Sequence, residues 1–350
     1  MRNTRTIFIA FTVTLIAAIA LSSCNLDATD GIYSEIADST ESTSVTLKSY
    51  LGKAGDYYYY LTDKAVCRTA GNNQSKTVFS SSETETVLGA SLLDSETGAL
   101  LVLRRKNGPF KPSISYYATP EADAAELGQF NELLTNGLFH DGTAIYRYNA
   151  GVAESIVSGF TSVEYYLENG DYAFFCVKTE DKSYKYYVIK ADGTKLFDEI
   201  TGPNMKYVGF QPLSSGTDFI LLDYDSSKAK PNLYLLANGD TEITSTVYAT
   251  LKSSLPYIES TQSASFLYTD DENTYIVFKC SSYFDKVRIA DDKSDRSVTP
   301  ISTGFAVNLR TADITNILDT GTANIFIAGT IGSMLYKIDM NTNKAAEQIK

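Results

Sequence analysis

The feature that most constrains this chain is a hairpin unit that returns along its length. Its clearest copy is Lys185–Ile200: a β-rich run Lys-Tyr-Tyr-Val-Ile-Lys, the turn Ala-Asp-Gly, then Thr-Lys-Leu-Phe-Asp-Glu-Ile with alternate residues apolar. Two such runs around Asp-Gly form the strongest short-range hairpin signal a sequence carries. Comparable turns stand at Asp63-Lys64, Asn107-Gly108, Asn149-Ala150-Gly151, Asp192-Gly193, Asn238-Gly239, Asp291-Asp292 and Met340-Asn341, separated by 44, 42, 43, 46, 53 and 49 residues. A unit returning at this interval cannot bury its apolar face alone and must stack on its neighbours.

Around the later turns the unit reads as four strands. Tyr172–Lys178 precedes Tyr184–Lys190, and Asp218–Tyr224 precedes Asn232–Ala237. Tyr275–Cys280 precedes Asp285–Ala290, and Asn324–Gly329 precedes Met334–Asp339. A first strand such as Lys206–Leu213 and a fourth such as Thr241–Thr246 complete a four-stranded antiparallel meander. By spacing and strand order the chain resembles a β-propeller. The resemblance implies an all-β fold of about seven four-stranded blades, whose radial packing covers the sheet faces and keeps the edges short. The alternative architecture is a β-sandwich or two stacked β domains. Composition agrees with strands: Tyr 25 and Phe 17 stand against Trp 0 and His 1.

One stretch reads as an interruption. Thr119–Gly137 has Pro120 in a first turn, Asn136-Gly137 as a stop, and Leu127, Phe130, Leu133 and Leu134 along one stripe, which predicts a helical insertion near 119–137. Shorter helical turns are predicted at Val247–Ser253 and Thr311–Leu318. Insertions between strands are where a regular scaffold presents its binding surface, so Phe130, Leu134, His140 and Asp141 become the candidate interaction surface.

The N-terminus speaks to location. Arg2 and Arg5 precede an apolar run, Ile7–Leu21, and then Leu21-Ser22-Ser23-Cys24. This layout is that of a secretory signal, too short and one-sided for a membrane span. The four residues resemble the bacterial lipobox, and the resemblance implies cleavage before Cys24 and acylation of its thiol and new amine. Residues 1–23 are then a lipoprotein signal peptide, 24–44 a flexible acidic tether, and 45–350 the propeller-like domain. The chain is expected on the cell envelope, in the outer membrane or at the cell surface rather than the inner membrane, with the membrane as a partner through the lipid on Cys24.

A formal charge of −12 disfavours nucleic acid and anionic headgroups as partners, and no basic run reverses that sign locally. No catalytic set assembles: His140 beside Asp141 is the single imidazole, and neither a Gly-x-Ser-x-Gly elbow nor a phosphate loop occurs. Cys67, Cys176 and Cys280 lie far apart, the last two in apolar runs typical of buried thiols, so no metal and no cofactor is expected. Asp223-Tyr224-Asp225 starts like a calcium loop, but Lys228 and Tyr234 stand where Gly and Glu are needed. Tyr57-Tyr58-Tyr59-Tyr60, Tyr116-Tyr117, Tyr165-Tyr166 and Tyr186-Tyr187 fit aromatic packing between strands. These readings point to a non-enzymatic, lipid-anchored binding or scaffold module for an envelope or extracellular protein or glycan. The alternatives are an envelope glycan hydrolase using channel carboxylates and a periplasm-facing assembly factor.

Overall fold

The computed structural model describes residues 47–70, 75–197, 199–202, 205–213, 215–223, 232–243, 249–250, 265–269, 273–279, 284–289, 298–301, 314–319, 324–330, 335–339, 341–342 and 345–349. The stretch Leu21-Ser22-Ser23-Cys24 and Cys280 lie outside them. The described strands form seven four-stranded sheets. The first is β1 (Leu47–Ala54), β2 (Tyr57–Thr62), β3 (Ala65–Thr69) and β4 (Ser75–Ser80). The second is β5 (Glu85–Leu92), β6 (Leu100–Lys106), β7 (Ser113–Tyr117) and β8 (Ala125–Gln129). The third is β9 (Glu132–Leu133), β10 (Leu138–His140), β11 (Ala144–Asn149) and β12 (Val152–Ser158). The fourth is β13 (Ser162–Asn169), β14 (Tyr172–Lys178), β15 (Tyr184–Lys190) and β16 (Ile200–Thr201). The fifth is β17 (Tyr207–Pro212), β18 (Phe219–Asp223), β19 (Asn232–Leu236) and β20 (Ala249–Thr250). The sixth is β21 (Ser265–Thr269), β22 (Thr274–Lys279), β23 (Phe284–Ile289) and β24 (Val298–Ile301). The seventh is β25 (Ile314–Asp319), β26 (Ile325–Thr330), β27 (Leu335–Asp339) and β28 (Glu347–Ile349).

Each sheet is an antiparallel meander in chain order. First strands meet across sheets, β1 with β5, β5 with β9, β13 with β17, β17 with β21 and β21 with β25, and β1 also packs against β26. This is a β-propeller, not a sandwich. The first sheet is built wholly from the first four strands and the last from the last four, so no strand is shared across the seam where they meet. In the fourth sheet the second and third strands are buried on both faces, which is why they read as continuous apolar runs: Phe174, Phe175, Cys176, Val177, Tyr186, Val188 and Ile189 are all shut from solvent. Between the fourth and fifth sheets Phe174 lies 5.4 Å from Tyr186, 5.7 Å from Phe210 and 5.9 Å edge-on to Tyr207. Rings at these offsets add to their burial.

The helical expectations are corrected. Among the described residues no helix occurs, and none therefore is long and apolar enough to cross a membrane. Residues 119–137 supply β8, paired with β7, and β9, the short first strand of the third sheet. Gly128 sits at φ +128°, which a helix does not permit, and the stripe Phe130, Leu133 and Leu134 is buried between sheets. Thr311–Leu318 enters β25, and the described part of Val247–Ser253 is β20, which also displaces the fourth strand expected at Thr241–Thr246. Lys185–Ile200 spans the outer pair of the fourth sheet, as β15 and β16. The turn series, however, changes side. Asp63 and Asn107 join second to third strands, whereas Asn149, Asp192 and Asn238 join third to fourth, at the opposite end of the sheet.

Candidate functional site

A cleft of about 840 Å³ opens on the face where the first strands end. It is built from the first four sheets, the first contributing part of its first strand and the others mainly their first turns and the ends of their third strands. Tyr50, Leu51 and Gly52 come from β1, and Leu92 to Asp94 from the end of β5. Thr135 and Asn136 come from the β9–β10 turn, Gly170 and Asp171 from the β13–β14 turn, and Ala191 and Asp192 from the turn after β15. Tyr116 at the end of β7 and Tyr148 at the end of β11 stack at 4.3 Å with planes 17° apart, forming an aromatic wall between the second and third sheets.

Beside the cleft, side chains tie one sheet to the next. Ser91 Oγ donates to the Thr135 carbonyl at 2.7 Å. The Thr135 amide and hydroxyl donate to Glu168 at 2.7 and 3.1 Å, tying the third sheet to the fourth. Asn169 Nδ2 donates to the Phe210 carbonyl at 2.9 Å and to Gln211 Oε1 at 3.0 Å, tying the fourth to the fifth. Burial raises the Glu168 carboxyl to about 7, against the lowering pull of the Thr135 amide, the Thr135 hydroxyl and the Asn136 amide.

The charged lining is acidic: Asp94, Asp171 and Asp192, with no cation among the lining residues. Asp94 and Asp192 are held below the usual carboxylate range, chiefly by backbone amides, of Thr97 and Glu96 for the first and of Thr194 for the second. Both are therefore engaged in their own turns. The Asp171 carboxylate is exposed and takes no hydrogen bond or ion pair from the described residues, while its backbone carbonyl accepts from the Ala191 amide at 2.7 Å. Asn136 accepts from the Leu138 amide at 3.2 Å, while its buried Nδ2 has no partner among the described residues. The cleft thus offers one unused amide donor, one free carboxylate and a stacked aromatic wall.

The residues singled out in the sequence lie elsewhere. Phe130 and Leu134 are buried in the packing on either side of the third sheet. His140 is 6% exposed on β10, edge-on to Tyr166 at 6.0 Å, and its Nδ1 is unpartnered. Burial lowers its pKa to about 4, more strongly than the neighbouring Asp141 raises it, so the ring is neutral at physiological pH. Asp141 spends its carboxylate on the β10–β11 turn, accepting from the Thr143 and Ala144 amides and from the Tyr146 hydroxyl at 2.8 Å. Imidazole and carboxylate do not form a dyad. Asp223 is buried and accepts from the Asn232 amide and the Tyr234 hydroxyl, which gives the apparent calcium-loop residue a structural task. Cys67 and Cys176 are buried free thiols, and among the described residues no group of His, Cys, Asp or Glu is arranged to hold a metal. Of the tyrosine run, Tyr59 and Tyr60 are core residues and Tyr57 is exposed beneath the Arg68 guanidinium.

No family model matches the chain, and no curated protein does. Solved structures do. One, described as a structural and mechanistic analysis of two prolyl endopeptidases and the role of inter-domain dynamics, superposes with TM-score 0.52 at 10% identity, over 99% of this chain and 55% of that one. This chain spans about half its length. The tricorn protease matches with TM-score 0.49 at 9% identity, over 87% of this chain and 35% of that one. The β-propeller domain of the Trilobed protease from Pyrococcus furiosus matches with TM-score 0.47 at 12% identity, over 88% and 98%. The fold is the β-propeller. The functional expectation of a non-enzymatic binding or scaffold module, with a glycan hydrolase or an assembly factor as alternatives, does not stand: the propeller matched at TM-score 0.52 is one of prolyl endopeptidases, at 10% identity.

Proposed function

We propose that this chain is a peptidase-related propeller of seven blades, held to the bacterial envelope by lipid on Cys24, whose cleft receives an extended peptide. The observation that carries the reading is the cleft itself. It is long enough to cross four sheets, and along it stand a stacked tyrosine pair, the unused Asn136 Nδ2 and the free Asp171 carboxylate. An extended peptide presents carbonyls, amides and side chains for such groups to meet, and an aromatic wall takes its apolar groups at low entropic cost. The likeness to a prolyl endopeptidase structure supports the peptide as the ligand class.

The test is fluorescence polarisation with labelled unstructured peptides. Tyr148→Ala, which removes half the stacked wall, is expected to weaken binding about tenfold, and Asn136→Ala by a smaller factor. Peptides that bind wild type and both variants equally, or no peptide binding at all, refute the cleft as the receiving site. Fatty-acid labelling tests the anchor separately: label is expected on the wild type and absent from Cys24→Ala.

A further inference from the structure

The face opposite the cleft carries a loop that breaks the acidic character of the chain. From the last two residues of β6 into the connection to β7, residues 105–111 read Arg-Lys-Asn-Gly-Pro-Phe-Lys, and every one of them is exposed. Phe110 is 57% exposed, one of three large apolar residues so placed among the described residues. Its ring leans over Gly108, 3.2 Å from where a Cβ would stand, and projects outward from there. Arg105, Lys106 and Lys111 flank it and form no ion pair with any described residue. The preceding cation, Arg104, is different: it pairs with Glu85 at 3.4 Å and lies over the rings of Phe79 and Tyr117. Asn107 anchors the loop, its amide donating to the Thr84 carbonyl at 2.8 Å and its side chain to the Glu83 carbonyl. Glu83 is the one acidic residue on that neighbouring connection, which leaves the loop with a positive balance.

The position of this loop matters as much as its composition. Second-to-third-strand turns lie at the same end of each sheet as the start of the first strand. The β6–β7 loop therefore shares its face with Leu47, where the chain enters β1, while the cleft lies at the other end of the same strands. A chain tethered through residues 24–44 is fed into the propeller from the loop's side.

We propose that the loop 105–111 is a membrane-contact element: Phe110 enters the interfacial layer of an anionic bilayer while Arg105, Lys106 and Lys111 pair with its headgroups. This rests on the lipid-anchor reading above and adds to it an orientation, with the cleft turned away from the membrane. A lipid anchor needs a second attraction to hold a protein in one pose, and a short basic-aromatic element supplies one. The rest of the acidic surface is repelled by the same headgroups, so the contact is confined to this corner and the repulsion favours the same pose.

The chain contains no Trp, which makes the loop directly readable. Every sheet lies within residues 47–349, so the chain from Val45 onward keeps the fold. In that chain, Phe110→Trp places a single reporter on the loop, and Val152→Trp places one at the equally exposed Val152 on the cleft face. With vesicles of phosphatidylcholine and phosphatidylglycerol, the emission of the first is expected to shift to shorter wavelength and lose access to an aqueous quencher. The second is expected to stay unchanged. Arg105→Gln, Lys106→Gln and Lys111→Gln together should weaken partitioning about a hundredfold, roughly fivefold for each cation lost. A Phe110→Trp signal that ignores the anionic vesicles, responds equally to phosphatidylcholine alone, or is matched by Val152→Trp overturns the proposal. Fatty-acid labelling of the full chain reports on Cys24 independently. A labelled protein whose loop stays in water refutes the contact and leaves the anchor. A loop that binds in a chain carrying no label does the reverse.

Discussion

Replacing Glu168 with Gln tests the tie between the third and fourth sheets and the electrostatics beside the cleft. Glu168 accepts two hydrogen bonds from Thr135, yet burial raises its carboxyl from the ordinary 4.5 to about 7. Its folded pKa thus exceeds its unfolded one. Between the two values the folded state binds more protons, so stability is full below about 4.5 and declines as pH rises through about 7. At 1.36 kcal/mol per pH unit the gap corresponds to about 3 kcal/mol, and solvent reaching the half-buried side chain reduces that to about 2 kcal/mol. Gln keeps the shape and an oxygen to accept the Thr135 amide but carries no charge to desolvate. Glu168→Gln should therefore match wild type near pH 4.5 and exceed it by about 2 kcal/mol near pH 8. Urea denaturation across this range measures the difference directly. Parallel profiles for the two proteins, or a variant that loses stability relative to wild type as pH rises, would refute the reasoning.

Other outcomes follow from packing and backbone geometry. Phe174→Ala removes a fully buried ring that meets Tyr186, Tyr207 and Phe210, and should cost about 3–5 kcal/mol in chemical denaturation. Gly193→Ala forces a side chain into φ +86° and places its Cβ 2.6 Å from the Arg147 side chain, so it should cost about 1–3 kcal/mol. Arg147→Ala added to it should recover the steric part, read by the same titration. Tyr165→Phe removes a hydroxyl that donates to the Met205 carbonyl at 2.8 Å and accepts from the Tyr207 amide, and should lower stability by about 1–2 kcal/mol.

How much of this was legible depends on how local each signal is. β14 and β15 run as the sequence suggests, to the residue, because each holds a continuous apolar run bounded by charged residues and polar turns. The stripe Leu127, Phe130, Leu133 and Leu134 deceived because two short strands around a bend also bring such residues inward, and only Gly128 at positive φ betrays the difference. The turn series slipped between Asn107 and Asn149 because Asn, Asp and Gly meet the same backbone demand at either end of a sheet. The cleft had no local signal. Tyr116 and Tyr148 come from different sheets, the first reading as ordinary strand packing and the second carrying no signal of its own, and Asn136 reads as a helix stop. Arg105, Lys106 and Lys111 are too interrupted to count as a basic run. Only the hairpin that folds them around Phe110 makes them one patch.

Because every sheet is a contiguous stretch of chain and none borrows a strand from the other terminus, the order of the sheets around the ring is separable from where the chain happens to start. Within such a ring each meander is held by contacts close in sequence, whereas the meeting of β1 with β26 joins the two ends of the described chain. The same independence means that a circular permutation opened at the link between β12 and β13, with the old termini joined, should keep every sheet intact and move the seam to a new place in the ring.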